Sequence, residues 1–236
     1  MTTPLALVVA GPGTNRDADV AFALELAGAR AEVVLAAEVT ARPAMLATAQ
    51  MLVVAGGFSY GDALGAGRML ALELGHGRSG EALRTFVAAG KPVLGICNGF
   101  QVLTRTGLLP GALGHNASGG FQCQWVRLAP VSSRCIWTAG LTDDIACPIA
   151  HGEGRYVPAD LTALETGDQI ALRYTRGTNP NGSTADIAGV CDPSGVVLGL
   201  MPHPENAVLG RQLPPGTTRP AGLDLFVNGV TYAKEC

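Results

Sequence analysis

One of the six cysteines stands in a sequence context that suits a nucleophile. Cys97 directly follows the apolar run Pro92–Ile96. Glycines stand two positions before it and two after it, at Gly95 and Gly99. Such glycines relieve the crowding of a sharp strand-to-helix turn, as in the nucleophile elbow of hydrolases. At the start of a helix, free N–H groups and the positive dipole end favour thiolate. We therefore predict that Cys97 is a catalytic nucleophile and that the Asn98 N–H stabilises an oxyanion.

A base for this nucleophile is suggested by the segment Met201–Glu205, which follows the apolar strand Val196–Met201. Prolines flank His203 and stiffen the chain, and in an extended segment residues i and i+2 project to the same side. The Glu205 carboxylate is then expected to bind one ring nitrogen of His203 and leave the other for the thiol. Of the other histidines, His76 lies in a Gly-rich stretch and is interpreted as a solvated loop residue.

A second oxyanion donor is expected in the glycine-rich loop Gly56–Asp62, which follows the apolar strand Met51–Ala55. Parallel α/β sheets bind ligands at the carboxyl ends of their strands, so this loop should lie beside Cys97. Paired glycines let a backbone N–H turn toward an oxyanion, and Gly57 or Phe58 is the expected donor. A phosphate-binding loop is disfavoured because no Gly-Lys-Ser/Thr sequence follows.

The first half of the chain alternates strand and helix signals. Apolar runs predict four strands: Leu5–Ala10, Ala31–Ala36, Met51–Ala55 and Pro92–Ile96. Helical spacing of apolar residues predicts helices at Asp17–Ala29, Pro43–Gln50 and Glu81–Ala89. Short, fully apolar strands between helices indicate an α/β fold with a parallel sheet covered on both faces.

The second half predicts a smaller antiparallel element. Strands are expected at Phe121–Leu128, Ile145–Ala150 and Gln169–Tyr174, a hairpin at Ile187–Cys191 and Val196–Met201, and a closing helix at Leu223–Lys234. The turn-rich tetrapeptide 192–195 supports the hairpin. No repeat or linker interrupts the chain, so residues 1–236 are interpreted as one domain.

Composition excludes several classes of function. The 236 residues are 47% hydrophobic and carry a net charge of −3, which gives no electrostatic reason to bind nucleic acid or an anionic membrane. No apolar run approaches the roughly 20 residues of a membrane-spanning helix, and the N-terminus lacks the basic start of a signal peptide. The cysteines show neither CxxC pairs nor the Cys/His spacing of a zinc site. We therefore expect a cytoplasmic protein with reduced thiols and no metal of its own.

Three motifs together resemble the class I (triad) glutamine amidotransferases. They are the elbow Gly95–Gln101, the loop Gly56–Asp62 and the segment Pro202–Glu205. Further segments resemble one family among them, the glutaminase subunits of phosphoribosylformylglycinamidine synthases. These are Gly11–Asn15, His151–Tyr156, Asn179–Ser183 and Leu198–Glu205. The resemblance spans nearly the whole chain. It implies a three-layer, flavodoxin-like fold with a mostly parallel central sheet.

The resemblance also implies roles. Cys97 would be the nucleophile, His203 the general base and acid, and Glu205 its orienting group. Gln101 would help to hold the substrate, while His151, Gly152 and Glu153 would line the pocket for the α-amino and α-carboxylate groups of L-glutamine.

Ammonia would pass to a separate synthetase subunit, with a small accessory subunit in the complex. There it would drive ATP-dependent amidation of formylglycinamide ribonucleotide. No cofactor is expected in this chain, since ATP and Mg²⁺ would belong to the partner.

Three alternatives stay open at this stage. The triad is shared with class I glutaminases that serve other synthases, although the segments His151–Tyr156 and Asn179–Ser183 argue against these. A stand-alone enzyme with the same elbow, such as a γ-glutamyl peptidase or a stress-response protein, would act without a partner. A non-enzymatic scaffold would require the elbow, the His-x-Glu pair and the Gly-rich loop all to be coincidental.

Overall fold

A computed structural model describes residues 2–217 and 219–236 of the chain. Its central feature is a nine-stranded sheet in the order β2-β1-β3-β4-β11-β10-β9-β6-β7. The five strands from β2 to β11 in that order are mutually parallel. They are β1 (Leu5–Ala10), β2 (Arg30–Leu35), β3 (Met51–Val54), β4 (Val93–Ile96) and β11 (Val197–Leu200). The four apolar strands expected in the first half are therefore confirmed, with ends shifted by at most one residue.

The second half of the chain extends the same sheet with antiparallel strands. These are β10 (Ile187–Cys191), β9 (Ile170–Tyr174), β6 (Gln122–Pro130) and β7 (Ile145–His151). The predicted hairpin is confirmed, because β10 and β11 pair antiparallel on either side of residues 192–195. A separate two-stranded sheet joins β5 (Ala112–Gly114) and β8 (Arg155–Val157). Sequence reasoning did not identify these two short strands.

Seven α-helices accompany the strands in the described part of the chain. They are α1 (Asp17–Leu26), α2 (Ala36–Ala41), α3 (Arg68–Gly75), α4 (Gly77–Ala88), α5 (Asn98–Arg105), α6 (Leu161–Thr166) and α7 (Gly222–Ala233). Helix α1 packs on α7, whereas α3 packs on α4 and α5, so helices flank the sheet as expected. The short helix expected at Pro43–Gln50 is a 3-10 helix over Pro43–Thr48.

Helices α1 and α4 differ most from their predicted boundaries. Helix α1 ends at Leu26 rather than Ala29, because Gly28 adopts φ +93° and the Ala29 N–H turns back to bond Leu24 O. Helix α4 begins at Gly77 rather than Glu81. His76 is therefore not part of an open loop but the exposed joint between α3 and α4.

The core consists of the fully apolar strands and the helix faces against them. All four residues of β3, β4 and β11 are buried, which fits parallel strands covered on both sides. Because β4 lies between β3 and β11, the loops after all three meet at the carboxyl edge of the sheet. Within residues 2–217 and 219–236, no helix combines the length and apolar character needed to cross a bilayer.

Candidate active site

Cys97 lies where β4 ends and α5 begins. Its backbone adopts φ 50° and ψ −104°, a left-handed conformation that costs a residue with a Cβ about 1–3 kcal/mol. The Cys97 N–H donates to Leu200 O at 2.8 Å, which holds the turn against β11. Cys97 is only 5% exposed. The predicted sharp turn from strand to helix is therefore confirmed.

The glycines on either side of Cys97 are needed for close backbone approach. A Cβ atom at Gly95 would lie 2.7 Å from the carbonyl oxygen of Gly99. A Cβ at Gly99 would lie 2.0 Å from the carbonyl oxygen of Val54. Any side chain at these positions would push α5 away from β3 and β4 and displace the thiol.

His203 and Glu205 follow β11 and form a buried pair. His203 Nδ1 lies 2.7 Å from Glu205 Oε1, and the Glu205 side chain is fully buried. The His203 N–H donates to Pro148 O at 2.9 Å, which joins this segment to β7. The expected extended geometry is wrong, because Pro204–Ala207 is a 3-10 turn that Pro204 opens. The fixed φ of proline suits that first position, and the turn brings the two side chains together.

Cys97 and Glu205 both change the pKa of the His203 ring. Burial lowers the pKa of His203, but Glu205 and the Cys97 sulfur raise it to about 10. Because Glu205 holds Nδ1, Nε2 is the ring nitrogen left for the Cys97 thiol. By contrast, burial and the nearby Glu205 raise the pKa of Cys147 and keep that side chain a neutral thiol.

The loop after β3 approaches the loop after β1. Gly57 adopts φ +138°, and a Cβ there would lie 2.6 Å from the backbone nitrogen of Asn15. The Phe58 N–H donates to Gly13 O at 3.3 Å. That contact occupies the Phe58 N–H, so Phe58 does not serve as the oxyanion donor in this conformation. Of the two oxyanion donors expected in this loop, Gly57 therefore remains the candidate. Its role and that of Asn98 stay predictions.

A cavity of about 170 Å³ opens in front of Cys97. All four residues expected to contact the substrate line it: Gln101, His151, Gly152 and Glu153. It is also lined by Gly57, Phe58, Asp62, Ala66, His115, Phe121 and Ala150. The roles of Gln101, His151, Gly152 and Glu153 in substrate binding stay predictions. Among the described residues, no group of three or more His, Cys, Asp or Glu side chains is arranged to hold a metal ion.

The first turn of α5 is tied to the glycine-rich loop by side-chain hydrogen bonds. Asn98 Oδ1 accepts from Ser59 Oγ at 2.5 Å, and Asn98 Nδ2 donates to Gln101 Oε1 at 3.0 Å. Gln101 Nε2 in turn donates to the carbonyl oxygen of Glu153 at 2.6 Å. Both polar ends of Gln101 are therefore occupied by protein groups, and it would have to bind substrate through the remaining capacity of these atoms.

His151 is buried and neutral. Asn116 Nδ2 donates to the carbonyl oxygens of Gly120 and His151, and Asn116 Oδ1 accepts from the Gly154 N–H. Asn116 Oδ1 is thus an acceptor, so His151 Nδ1, which lies 3.1 Å away, carries the proton. Burial, with a smaller effect of His203, lowers the pKa of His151 to about 4. His151 Nε2 is then an unprotonated acceptor at neutral pH.

The two segments that marked one family at the sequence level support each other in the fold. Asn181 Nδ2 donates to Gly154 O at 2.8 Å, and the Tyr156 N–H donates to Ser183 Oγ at 2.9 Å. The segment Asn179–Ser183 therefore fixes the backbone of His151–Tyr156, which forms one wall of the cavity.

Sequence reasoning missed two residues that shape this site. Asn116 fixes the ring of His151, but an asparagine in a loop carries no signal of its long-range partners. Asp62 lines the cavity and accepts a hydrogen bond from Asn98 at 3.3 Å. Its place at the end of the Gly-rich motif Gly56–Asp62 was the available signal.

The fold and the site together define a triad glutamine amidotransferase. A nucleophile elbow in the parallel part of the sheet lies beside a buried His–Glu pair, and a small cavity opens in front of the nucleophile. In agreement, a family model described as a CobB/CobQ-like glutamine amidotransferase domain matches residues 3–233.

Individual relatives identify one family among the glutamine amidotransferases. The chain is 44% identical to the phosphoribosylformylglycinamidine synthase subunit PurQ of Treponema denticola, with 97% of this chain and 98% of the relative covered. It is 38% identical to the same subunit of Dehalococcoides mccartyi over the full length of both. A chain in the structure of PurLQS from Thermotoga maritima superimposes with a TM-score of 0.82 and 36% identity, covering 98% of this chain and 99% of the other. The chain belongs to the PurQ family of glutamine amidotransferases.

Proposed function

We propose that this chain is the glutaminase subunit of a phosphoribosylformylglycinamidine synthase. It hydrolyses L-glutamine to glutamate and ammonia, and the ammonia serves a synthetase subunit. That partner converts formylglycinamide ribonucleotide to formylglycinamidine ribonucleotide with ATP in de novo purine synthesis. The observation that carries the proposal is the strained Cys97 elbow beside the buried His203–Glu205 pair.

In the first half-reaction, the Cys97 thiolate attacks the carboxamide carbon of glutamine and forms a C–S bond. The carbonyl oxygen becomes an oxyanion, which the N–H groups of Gly57 and Asn98 stabilise. Each such donor contributes about 3 kcal/mol to the transition state. When the C–N bond breaks, protonated His203 gives its proton to the leaving nitrogen, and ammonia departs from the thioester.

In the second half-reaction, neutral His203 takes a proton from water, and the oxygen attacks the thioester carbon. The C–S bond breaks, glutamate leaves and the Cys97 thiolate returns. Glu205 keeps His203 in the tautomer and orientation that both steps need. None of these steps needs a cofactor in this chain, and ATP and Mg²⁺ act on the synthetase.

Two observations support action as a subunit rather than as a free enzyme. The relatives that match over the full length bear the name of a synthase subunit, which favours this family over glutaminases of other synthases. In addition, Phe58 and Phe121 stack at the cavity with ring centroids 6.2 Å apart, although they are 40% and 54% exposed. Exposed apolar side chains at the opening of a site are typical of a surface that a partner covers.

Two broader features complete the proposal. Residues 1–236 act as one glutamine amidotransferase domain, because one sheet takes strands from both halves of the chain. The place of action is the cytoplasm, in keeping with six free cysteines. A small accessory subunit joins the synthetase in the assembly.

The test is amidation by the assembled complex with either glutamine or ammonium chloride as nitrogen source. The unaltered complex should use both. Cys97→Ser should lower the glutamine-dependent rate by at least about 10³-fold and leave the ammonium-dependent rate unchanged. Substantial glutamine-dependent turnover by the variant would refute the nucleophile, and no amidation from either source would refute the partner.

A further inference from the structure

The glycine-rich loop Gly56–Asp62 contains a stretch of strained backbone. Three consecutive residues adopt the left-handed conformation: Tyr60 with φ 56°, Gly61 with φ 61° and Asp62 with φ 54°. Glycine adopts this conformation readily and aspartate is tolerated in it, but a bulky aromatic residue is an outlier there. Such a residue keeps its conformation only where surrounding contacts hold it. The contacts of Tyr60 therefore determine the shape of this loop.

The side chain of Tyr60 attaches the loop to helix α3. Its hydroxyl donates a hydrogen bond to Glu73 Oε2, and its ring lies against Gly11, where a Cβ would be 3.3 Å from Tyr60 Cε2. Within residues 2–217 and 219–236, no other side-chain hydrogen bond or ion pair involves the Glu73 carboxylate. Burial, followed by the hydrogen bond to Glu73 and its charge, raises the pKa of Tyr60 to about 12. The hydroxyl therefore stays protonated and remains a donor.

Two other contacts hold the same loop, and they lead to other elements. The Tyr60 N–H donates to Pro12 O at 2.5 Å, which joins the loop to the segment after β1. Ser59 Oγ donates to Asn98 Oδ1 at 2.5 Å, which joins it to the first turn of α5. The bond between Tyr60 and Glu73 adds the attachment to α3, so the loop is held from three sides.

The expected oxyanion donor precedes the strained stretch by three residues. Gly57 lines the cavity in front of Cys97 and forms an isolated antiparallel bridge with Thr14. A backbone N–H has no side-chain rotamer of its own, so its direction is set by the conformation of the loop that carries it. If Tyr60 left the left-handed conformation, the peptide groups before it would turn as well. A displaced donor stabilises an oxyanion poorly, because hydrogen bonds weaken steeply with distance and angle.

We propose that Tyr60 and Glu73 are positioning residues for the oxyanion donor of the glutaminase reaction. The hydrogen bond between them holds Tyr60 in its left-handed conformation and thereby aims the Gly57 N–H at the carbonyl oxygen of the substrate carboxamide. Neither Tyr60 nor Glu73 is among the residues that line the cavity, so both act through the loop and not on the substrate. This assignment rests on the proposed glutaminase activity and adds residues outside the cavity on which its rate depends.

The test uses Tyr60→Phe, Glu73→Ala and the double variant, each in the complex with the synthetase. Phenylalanine keeps the ring against Gly11 and removes only the hydroxyl. Glu73→Gln is the conservative variant, because its amide oxygen can still accept from Tyr60. Tyr232→Phe on α7 is the matched control, since the Tyr232 hydroxyl forms no hydrogen bond within the described residues.

Tyr60→Phe should lower kcat for glutamine about 10- to 100-fold with KM within about threefold, because the oxyanion forms only after substrate has bound. Affinity for glutamate γ-semialdehyde, which forms a tetrahedral hemithioacetal with the Cys97 thiol, should fall by a similar factor. Alkylation of Cys97 by iodoacetamide should stay within about twofold, since displacement of iodide creates no oxyanion. Amidation from ammonium chloride should be unchanged.

The other variants test whether the two side chains act together. Glu73→Ala should show the same loss as Tyr60→Phe, and the double variant should lose no more than either single variant, because one hydrogen bond is removed in all three. Glu73→Gln and Tyr232→Phe should keep kcat within about threefold of the unaltered complex.

A kcat within threefold for Tyr60→Phe would overturn the proposal, even if the variant unfolds more easily, and would leave the pair purely structural. An equal loss in the iodoacetamide reaction would overturn it too, because the thiol and not the oxyanion donor would then be affected. Multiplying losses in the double variant would show that the residues act separately. Failure of the underlying glutaminase proposal looks different, since the unaltered complex itself would then fail to turn over glutamine.

Discussion

Replacement of Glu205 by glutamine isolates the role of the carboxylate with little change in shape. Glu205 is fully buried, its Oε1 lies 2.7 Å from His203 Nδ1, and its Oε2 has no hydrogen-bond partner among the described atoms. The His203–Glu205 pair is therefore stabilised by charge rather than by a wider network of hydrogen bonds. Glu205→Gln removes that charge and also allows a side-chain amide to face the ring in the wrong orientation.

The structure sets the size of the effect. A hydrogen bond to a charged group contributes about 1.5–3 kcal/mol, which corresponds to roughly 10- to 150-fold in rate. Loss of the correct tautomer adds to this, and a triad without its carboxylate can lose about 10⁴-fold in kcat. We expect kcat for glutamine hydrolysis to fall between these limits.

The pH dependence gives a sharper signature than the rate alone. Burial lowers the pKa of His203, and Glu205 with the Cys97 sulfur raises it to about 10. Without the Glu205 charge the pKa must fall, so His203 loses its proton at lower pH. Because the imidazolium protonates the leaving ammonia, the alkaline limb of the profile of kcat/KM against pH should move down by more than one pH unit.

The assay is glutaminase turnover by the assembled complex from pH 6 to 10, with release of glutamate measured. Glu38→Gln is the matched control, since Glu38 lies on the exposed surface of α2. A Glu205→Gln variant with an unchanged alkaline limb and a rate within threefold of the unaltered enzyme would refute the assignment of Glu205.

Three further predictions follow from single residues. Gly57→Ala meets both a φ of +138° and a contact of 2.6 Å with Asn15 N, so glutamine-dependent kcat should fall about 100-fold while ammonium-dependent amidation is retained. Equal loss of both activities would contradict this. Gly99→Ala places a Cβ 2.0 Å from Val54 O and should lower the free energy of unfolding by about 1–3 kcal/mol in urea titrations, whereas Gly114→Ala, which meets no atom within 4 Å, should be tolerated. Since the pKa of His151 is about 4 in the fold and 6.5 is its ordinary value, the folded state resists protonation, and stability is lost as pH falls from about 6.5 to 4. His151→Gln should reduce that loss by roughly 3 kcal/mol. Urea titrations of the unaltered protein and the variant at pH 7 and pH 4 measure the loss, and an equal loss in both would contradict the prediction.

The catalytic elements could be located from sequence because their signals are local. The strand Leu5–Ala10 and the hairpin strand Ile187–Cys191 have the predicted bounds, since short apolar runs between turn residues are typical of buried strands. The turn at Cys97 could also be predicted, because Gly95 and Gly99 flank the cysteine directly after an apolar strand.

The parts that escaped prediction depend on contacts distant in sequence. Helix α3 (Arg68–Gly75) was not identified from the sequence, where glycines at 65, 67 and 77 flank it, and it packs on α5. The segment Pro204–Ala207 was expected to be extended but is a 3-10 turn. Both conformations bring the side chains of His203 and Glu205 together, so the sequence did not distinguish them. Asn116 acts on His151 across 35 positions of sequence, and no local pattern reveals such a partner.

The choice between Gly57 and Phe58 shows the same limit at atomic scale. Paired glycines indicate that some N–H of the loop is free to turn. Only the contact between the Phe58 N–H and Gly13 O decides which one is already occupied. That contact joins the loops after β3 and β1, which pack together only in the folded sheet.

The most direct test of the proposed glutaminase chemistry is to locate the nucleophile by covalent labelling. The chain is treated with a glutamine-mimicking chloroketone, alone and with its synthetase partner, and the adduct is mapped by peptide mass spectrometry with and without excess glutamine. With six free cysteines, the position of the adduct is informative. We predict one adduct, on Cys97, which glutamine prevents and which Cys97→Ser abolishes. Labelling spread over several cysteines and indifferent to glutamine would contradict it.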